Sequence, residues 1–440
     1  MVRSMTSLKA EYKKITPKSM AQWELGKPIM PGGLIKGAYW SDPYPIYIER
    51  AEGCYLWDLD GRRYVDFENH HTATILGHSH PEVVESIQNT LNLGIAHGGP
   101  TKLEAEVSAE LIDRIPSVEK VRFTNSGTEA SLHATRMVRM ISGKSKLAKF
   151  EGNYHGSHDA LEVSVSPSLD QAGPEDTPNS VDGWKGMSNG SSEDVVVLPH
   201  NKRESVELIL REQKDEVAAV FYDGRPGFYD TSHDFVRWLR QITEELGILL
   251  VMDEVVSFRV GRAGFQGVCD VMPDLTIFGK VVGGGLPVGA IGGRGDLMDV
   301  LDNTVNTGLY QSGTYSGNMF TLAAGLATLR ALTPEVYSYM EYLGEQLYAG
   351  LKAAFMKAGI PHQVLQEGSI VGYHLTDQPV TDYRSACTVN RELTDRIGIA
   401  MMVQGYFARA TMGMIISQPM KDEHIDSYLQ DLESILLQQD

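Results

Sequence analysis

Two short apolar runs that end beside charged residues constrain the fold of this chain more than any other feature. Ile248–Met252 leads directly into Asp253 and Glu254, while Leu275–Phe278 is followed closely by Lys280 and then by three glycines. Runs of this length and composition are typical of parallel strands that are buried on both faces. Because the carboxyl ends of parallel strands meet at one edge of an open sheet, we expect Asp253 and Lys280 to face one crevice.

Helical and strand-like patterns alternate along the chain from about residue 82. An amphipathic helix is predicted over residues 125–143, with Ala130 and Met137 on its apolar stripe and Gly143 at its C-terminal cap, and another helix begins near Ser232. Further strands are predicted at VEKVRF, KLAKF, DVVVLPH and EVAAVFYD. Strands that alternate with helices indicate βαβ units, so the sequence predicts an α/β fold with a mostly parallel sheet flanked by helices.

The chain of 440 residues is long enough for more than one domain, and three parts are predicted. Residues 1–75 hold an N-terminal arm and an antiparallel meander with a tight turn at Asp60-Gly61, and we expect them to pack with the small domain. Residues 76–320 would form the large domain and residues 321–440 a smaller C-terminal α/β domain. Within the large domain, residues 166–193 lack periodicity, and a loop of this length is usually functional or mobile.

Composition argues against several classes of function. The chain has 39 basic and 57 acidic residues and a formal charge of −18, whereas a nucleic-acid partner would need a basic face. The three cysteines, Cys54, Cys269 and Cys387, are widely separated and indicate reduced, mostly buried thiols. The sequence shows no signal-peptide pattern and no apolar run near the ~18 residues that span a bilayer. We therefore expect a cytoplasmic protein with no membrane partner.

The segment Asn125–Thr128 lies between a predicted strand and the helix that follows it. The free amides of a helix start, a glycine that permits close approach and two hydroxyls form a cradle suited to one phosphate group. The alternative is a simple N-terminal cap, in which a hydroxyl bonds its own helix, and the motif alone does not decide between the two. Other phosphate motifs fail, because Ser142–Ser145 lacks the first glycine of a Walker loop and GGGLPVGAIGG has no GxGxxG in register.

Tyr154 and His155 follow the predicted strand KLAKF. An aromatic ring at such a strand end could stack on a flat cofactor or simply pack on the sheet. The histidine pairs of the chain have no third ligand at a suitable spacing, so no metal site is predicted. An acid at one strand end and a lysine at another suggest pyridoxal phosphate chemistry, in which the lysine forms a Schiff base and the acid holds the pyridine nitrogen protonated.

Taken together, these segments resemble the class III aminotransferases, which are fold-type-I pyridoxal phosphate transferases, and most closely the branch that contains glutamate-1-semialdehyde aminomutase. The resemblance extends over nearly the whole chain. The motifs that carry it are LGHSHP, RFTNSGTEA, KFEGNYHGSHDAL, MDEV, PDLTIFGKVVGGGLPVGAIGGR and GTYSGN. It implies a large cofactor-binding domain with a mostly parallel sheet and a smaller α/β domain.

The resemblance also implies a role for each residue at a matching position. Lys280 is the implied Schiff-base lysine and proton carrier, and Asp253 is the implied partner of the pyridinium nitrogen. The other implied cofactor contacts are with the ring, through Tyr154 and Val255, and with the phosphate, through Ser126, Gly127 and Thr128, and His155 beside Tyr154 is a further implied cofactor-binding residue. Thr314 matches a residue that reaches the phosphate from the neighbouring subunit, which implies a two-fold homodimer with shared active sites.

Four departures from the family pattern lie on the implied substrate side. The segment GGLIKGAYW lacks the arginine that binds the substrate carboxylate, and Lys36 is the nearest cation. Asp223-Gly224 replaces Glu-Pro, DEVVSFRV is one residue shorter than usual, as in relatives that act on aromatic β-amino acids, and His71 stands where Trp or Tyr is usual. These changes imply the family's chemistry with an altered substrate. Lys36 and Arg409 are the candidates to contact a carboxylate.

The sequence therefore predicts an aminotransferase that works by a ping-pong mechanism. A donor, with a β-amino acid or a bulky amine preferred over an α-amino acid, would give its amino group to the cofactor held on Lys280. A 2-oxo acid would then accept that group. One alternative is the aminomutase reaction, which moves an amine within one molecule. Another is a non-catalytic module that only binds the cofactor, and the pairing of Lys280 with Asp253 argues against it.

Overall fold

The computed structural model describes residues 2–188, 190–224, 226–230, 232–305, 308–408 and 413–437. Its helices are α1 (Met5–Ile15), α2 (Pro17–Gly26), α3 (Asn69–Thr72), α4 (Pro81–Leu91), α5 (Lys102–Arg114), α6 (Gly127–Ser142), α7 (Arg203–Gln213), α8 (His233–Glu245), α9 (Gly264–Cys269), α10 (Gly295–Met298), α11 (Met319–Ala331), α12 (Pro334–Lys357), α13 (Tyr383–Cys387), α14 (Arg391–Gln404) and α15 (Asp422–Leu437). Its strands are β1 (Ile48–Glu52), β2 (Tyr55–Asp58), β3 (Arg63–Asp66), β4 (Lys120–Thr124), β5 (Lys146–Phe150), β6 (Val195–Leu198), β7 (Val217–Tyr222), β8 (Leu249–Asp253), β9 (Leu275–Gly279), β10 (Gly289–Gly293), β11 (Gln363–Glu367), β12 (Ile370–His374), β13 (Tyr406–Phe407) and β14 (Met414–Ile415). The label α3 marks a single turn whose residues all have positive φ angles.

A seven-stranded sheet with the order β4-β10-β9-β8-β7-β5-β6 lies at the centre of the fold. Strand β10 is antiparallel to both of its neighbours, and the other strands run parallel to one another. The predicted α/β fold with a mostly parallel sheet is therefore confirmed. The sequence did not predict β10, because GAIGG has the glycine content of a loop. That content reflects close packing, since a Cβ on Gly289 would lie 1.9 Å from the carbonyl oxygen of Ser126.

Helices cover both faces of the central sheet. On β8, Val251 packs in the same apolar cluster as α6, while Leu250 and Met252 pack in the cluster that contains α8. Side chains alternate between the faces of a strand, so a run that is apolar throughout indicates burial on both sides. Helix α6 ends at Ser142, and Gly143, with a φ of 70°, is its C-terminal cap as predicted. These contacts fix the carboxyl ends of the parallel strands along one edge.

The N-terminal meander shares a sheet with the C-terminal part of the chain. Strands β1, β2 and β3 pair antiparallel as predicted, and Gly61 has a φ of 84° in the turn between β2 and β3. Strand β13 then pairs parallel to β3, with Tyr406 opposite Val65. A separate three-stranded sheet has the order β11-β12-β14. The division at residues 1–75, 76–320 and 321–440 stays a prediction.

The long loop at residues 166–193 contains no helix and nothing longer than an isolated bridge in its described part. Arg384 of α13 donates hydrogen bonds to the main-chain carbonyls of Ala172, at 2.8 Å, and Gly173, at 2.7 Å. The same guanidinium donates to both carboxylate oxygens of Glu151, at 2.8 and 3.0 Å. One side chain thus joins the loop, the end of β5 and the C-terminal part of the chain.

Three further observations bear on the sequence-based expectations. Cys54 and Cys269 are buried and Cys387 is half-buried, and each is a free thiol, as predicted. Within the described residues, no three His, Cys, Asp or Glu side chains come together as a metal site would require. None of the described helices is both long and apolar enough to cross a membrane. A cytoplasmic location stays a prediction.

An ion pair between α8 and β11 predicts a pH-dependent contribution to stability. The Nε2 of His233 lies 2.8 Å from the Oε2 of Glu367, and this hydrogen bond raises the pKa of His233 above its ordinary value of 6.5. The contribution is therefore fully present below pH 6.5 and is lost as the pH rises through the raised folded-state value. We expect the melting-temperature difference between the wild type and His233→Gln to be largest below pH 6.5 and to shrink above it. Glu367→Gln should give the same pH profile, and a difference that stays constant with pH would contradict this assignment.

Candidate active site

The two residues predicted to share a crevice lie at the ends of adjacent parallel strands. Asp253 is the last residue of β8 and stands opposite Ile277 of β9 in the strand register. Lys280 follows β9 directly, is half-buried and has a φ of 51°, in a region that non-glycine residues seldom occupy. Both side chains therefore start from the same edge of the sheet.

The Asp253 carboxylate is held in a fixed orientation. It is 5% exposed, and its Oδ2 lies 2.8 Å from the Nδ1 of His155. Its Oδ1 accepts a hydrogen bond from the backbone N–H of Val255 at 3.0 Å. The resemblance implied that His155 binds the cofactor, and the structure places its Nδ1 against Asp253, the implied partner of the pyridinium nitrogen.

A buried lysine of β5 holds the backbone of the loop that carries Tyr154 and His155. Lys149 of β5 is fully buried, and its Nζ donates to the main-chain carbonyls of Asn153, at 2.7 Å, Leu161, at 3.0 Å, and Val163, at 2.6 Å. Three carbonyl acceptors match the three protons of an ammonium group, which offsets the cost of burying its charge. Sequence analysis missed this role, although a lysine inside an apolar parallel strand is the signal that could have found it.

The start of α6 combines a side-chain cap with exposed helix amides. The Oγ of Ser126 accepts from the backbone N–H of Glu129 at 3.1 Å, so the capping alternative is realised for that hydroxyl. The first amides of the helix still have no carbonyl of an earlier turn to bond, which leaves them available to an anion. Thr128 lies beside them and accepts at its Oγ1 from the N–H of Ser157 at 3.3 Å.

Val255 brings the end of β8 against the start of α6. A Cβ on Gly127 would lie 2.9 Å from one methyl carbon of Val255, and a Cβ on Gly279 would lie 3.3 Å from the other. Glycine at both positions therefore permits the helix start, the end of β9 and Val255 to converge. This convergence joins the phosphate-type cradle to Asp253 and Lys280.

The two remaining residues predicted to contact the cofactor, Tyr154 and Thr314, are exposed to solvent. Tyr154 is 45% exposed, and its hydroxyl lies 3.0 Å from the Oγ of Ser157. Thr314 is exposed in a turn that approaches the α6 start of the same chain, where the Nδ2 of Asn125 lies 3.5 Å from the Oγ of Ser316. Contact of Thr314 with a partner subunit's site stays a prediction.

Glu254 does not belong to the crevice, although the sequence delivers it beside Asp253. It is fully buried and accepts hydrogen bonds from the Ser257 hydroxyl, at 2.5 Å, and from the backbone N–H groups of Phe265, at 3.0 Å, and Gln266, at 2.8 Å. Burial raises the pKa of Glu254 to about 7 even though these donors oppose the shift. Its role is to hold the segment that follows β8.

A cavity of about 930 Å³ lies between the N-terminal segment and α14. Its wall is largely apolar and includes Ile35 and Trp40 from the predicted substrate loop, together with Gly285, which follows Lys280 by five residues. The charged side chains in the wall are the carboxylates of Asp42, Asp66, Glu68 and Asp395. Among the described residues that line it there is no lysine or arginine.

The predicted substrate residues Lys36 and His71 both contact the ring of Tyr39. The Nζ of Lys36 lies 4.2 Å from the ring centroid of Tyr39, which lines the cavity. The same ring stacks on His71, with centroids 6.4 Å apart, and the Nδ1 of His71 lies 2.7 Å from the Oε1 of Glu68. Arg409, the other candidate for a carboxylate, lies outside the described residues.

A family model described as aminotransferase class-III matches residues 37–436. The chain belongs to the class-III aminotransferase family. Glutamate-1-semialdehyde 2,1-aminomutase of Bacillus subtilis (strain 168) is 36% identical to it over 427 residues, which is 95% of this chain and 97% of that protein. An omega-transaminase from Sphaerobacter thermophilus has a solved structure with a TM-score of 0.92 and 36% identity, over 95% of this chain and 97% of that one.

A third relative of this class-III aminotransferase is a β-phenylalanine aminotransferase from Variovorax paradoxus. It has a TM-score of 0.87 and 30% identity, over 98% of this chain and 96% of that one. The fold-type-I architecture predicted from the sequence is thus confirmed by solved structures, as is the resemblance itself.

The cofactor of this class-III aminotransferase is pyridoxal 5'-phosphate, which a solved transaminase 32% identical to this chain carries. The residues present fit that group. The cradle at α6 depends on a glycine whose Cβ would lie 2.9 Å from Val255. Beside it, a carboxylate that is 5% exposed and a lysine come from adjacent strand ends. These are the elements that a phosphate, a protonated ring nitrogen and an aldehyde carbon require.

Proposed function

We propose that this class-III aminotransferase transfers an amino group from a bulky amine or a β-amino acid to a 2-oxo acid in a ping-pong cycle. The observation that carries the proposal is the cavity wall, which is apolar and carries carboxylates such as Glu68 and Asp395. An ammonium group on an apolar body gains both from apolar contact and from these charges. Lys36, beside Tyr39 at the cavity, is the described cation best placed for the carboxylate of a β-amino acid or an oxo acid.

The residues of the crevice would divide the chemistry between them. Pyridoxal phosphate, when bound, supplies an electron sink for the substrate carbon. Lys280 would hold the cofactor and then move the proton at the substrate carbon with its freed amine. Asp253, fixed by His155 and Val255, would keep the ring nitrogen protonated. Tyr154 and Val255 would cover opposite faces of the ring, while the phosphate would rest on Ser126, Gly127 and Thr128.

The assembly is proposed to be a homodimer with two-fold symmetry. Thr314 is exposed, and Tyr310 and Tyr315 beside it expose 75% and 65% of their surfaces. Exposed aromatic residues in one segment favour an interface. In such a dimer Thr314 would reach the cofactor phosphate of the neighbouring subunit, and each site would need both chains.

A second candidate is the aminomutase reaction, in which the amine moves within one molecule. Relatives that are 35–38% identical over 94–95% of the chain carry that name, and they favour this candidate more directly than the first. The absence of a lysine or arginine from the described cavity wall bears on both candidates, because the β-amino acid, the oxo acid and the semialdehyde all carry a carboxylate, and it favours a bulky amine without one as the donor.

One spectroscopic experiment separates these candidates. The purified protein, loaded with pyridoxal phosphate, is mixed with an arylalkyl amine or an aromatic β-amino acid, and then with pyruvate. We expect the donor to bleach the visible band and pyruvate to restore it. Turnover of glutamate 1-semialdehyde without any oxo acid would instead establish the aminomutase. A protein that binds the cofactor but processes none of these compounds would support the non-catalytic module.

A further inference from the structure

The cavity wall contains a strained stretch of backbone. Asn69, His70, His71 and Thr72 form one left-handed turn with φ angles of 51°, 50°, 53° and 77°. Non-glycine residues visit this region singly, because Cβ comes too close to the following carbonyl oxygen. Four consecutive residues of this kind persist only where the surrounding structure holds them, and such strain tends to occur at functional sites.

Hydrogen bonds to a nearby carboxylate and to a distant carbonyl hold the turn at its start. The Oδ1 of Asp66 accepts from the backbone N–H groups of Glu68 and Asn69, both at 2.9 Å. The Nδ2 of Asn69 donates to the carbonyl oxygen of Ile415 in β14 at 2.7 Å. The start of the turn is thus tied to the end of β3 and to the C-terminal part of the chain.

Arg259 holds the end of the same turn. It is fully buried, and its Nη1 donates to the carbonyl oxygen of Thr72 at 2.9 Å. Its Nε donates to the Oγ of Ser369 at 3.0 Å, and its Nη2 donates to the carbonyl oxygen of Ile416. A planar guanidinium can serve three acceptors in fixed directions, whereas a lysine ammonium cannot reproduce that geometry.

Arg259 also connects this turn to the crevice. It lies six residues after Asp253, in the segment that Glu254 holds in place. The turn also faces the cavity, because its residue His70 and the preceding Glu68 line the wall. A change at Arg259 would therefore be felt in the substrate cavity while Asp253 keeps its own hydrogen bonds.

We propose that Arg259 is a positioning residue that keeps the Asn69–Thr72 turn left-handed and so sets the affinity for the amino donor. The proposal rests on the proposed function in that the cavity is taken to receive the donor. Arg259 stabilises the turn against its backbone strain. If that strain were relieved, donor binding would depend less on Arg259.

Thr72 offers a way to relieve that strain. It is β-branched at a φ of 77°, and its buried hydroxyl finds no hydrogen-bond partner among the described residues. Glycine adopts positive φ about as readily as negative φ and removes the hydroxyl. We therefore expect Thr72→Gly to raise the melting temperature and to leave the donor KM within about two-fold of the wild type.

The decisive comparison uses Arg259→Lys alone and in combination with Thr72→Gly. Arg259→Lys should raise the donor KM about ten-fold, because a displaced turn costs binding, with kcat and the cofactor's visible band nearly unchanged. The double variant should recover most of the donor KM. Arg114→Lys is a matched control, since Arg114 is also buried and bonds the carbonyls of Leu329 and Leu332. It should lower the melting temperature and leave the donor KM unchanged.

Three results would overturn the proposal. The first is an unchanged donor KM in Arg259→Lys, and the second is a raised KM that Thr72→Gly fails to recover. The third is a lower melting temperature in Thr72→Gly alone, which would mean that the turn is not strained. This test remains available if Arg259→Lys does not fold. If the wild type turns over a semialdehyde without an oxo acid, the proposed function fails, and the same KM comparison on that substrate still tests Arg259.

Discussion

Replacement of Lys280 by alanine is expected to lower kcat by about 10⁴-fold or more, because one side chain supplies both the covalent attachment and the proton transfer. Lys280 follows β9 at the edge where β8 ends in Asp253, whereas Lys149, near the end of β5, is fully buried and bonded to three main-chain carbonyls. The measurement is kcat at saturating pyridoxal phosphate and donor, together with the visible spectrum, in which the band of the lysine-bound cofactor should be missing.

A lysine of the same sheet provides the control. Lys146 lies at the start of β5 and pairs with Glu216 at 2.8 Å, far along the strand from the carboxyl ends. Lys146→Ala should retain the spectrum and kcat. A Lys280→Ala protein that kept kcat within about ten-fold of the wild type would remove Lys280 from the mechanism.

Asp253→Asn is expected to lower kcat by about 10²–10³-fold, because an amide cannot hold the ring nitrogen protonated as a carboxylate can. The variant should also bind the cofactor more weakly. Asparagine has one carbonyl oxygen for two donors, His155 and the N–H of Val255, so its amide group would face one of them. Steady-state kinetics and titration of the protein with pyridoxal phosphate would measure both effects.

Asp274→Asn is the matched control for this variant. Asp274 is also a buried aspartate of the central sheet, but it lies just before β9 and pairs with Arg240, at 2.8 Å, and Arg294, at 3.0 Å. Its substitution should lower the melting temperature and leave the cofactor spectrum unchanged. Equal losses of kcat in the two variants would mean that Asp253 acts through stability alone.

The fold and the centre of the site were predictable because they depend on local patterns. A parallel strand buried on both faces gives a continuous apolar run, and a charged residue directly after it must lie at the strand end. Two such runs in one parallel sheet are enough to predict that Asp253 and Lys280 lie at one edge of the sheet. The resemblance to class-III aminotransferases then supplied roles for residues whose own patterns were ambiguous, such as Ser126 as cap or cradle.

Other features were beyond sequence reasoning because they depend on contacts between distant segments. Strand β10 has the composition of a loop, and only its packing against Ser126 explains the glycines. Glu254 adjoins Asp253 in sequence, yet its hydrogen-bond partners lie in the segment up to Gln266. Arg259 has acceptors more than 100 residues away in both directions along the chain, which no local pattern records.

The way in which Arg384 anchors the 166–193 loop has a consequence for protein engineering. The guanidinium donates to three main-chain carbonyls of the loop, those of Ala172, Gly173 and Pro174, and so recognises the path of the backbone. The anchor itself requires no particular side chain, whereas Gly173 has a φ of 72° and a Cβ there would lie 2.6 Å from the side chain of Asn179. A foreign peptide grafted beyond these three carbonyls, toward the loop tip, would leave the attachment to Glu151 and α13 in place.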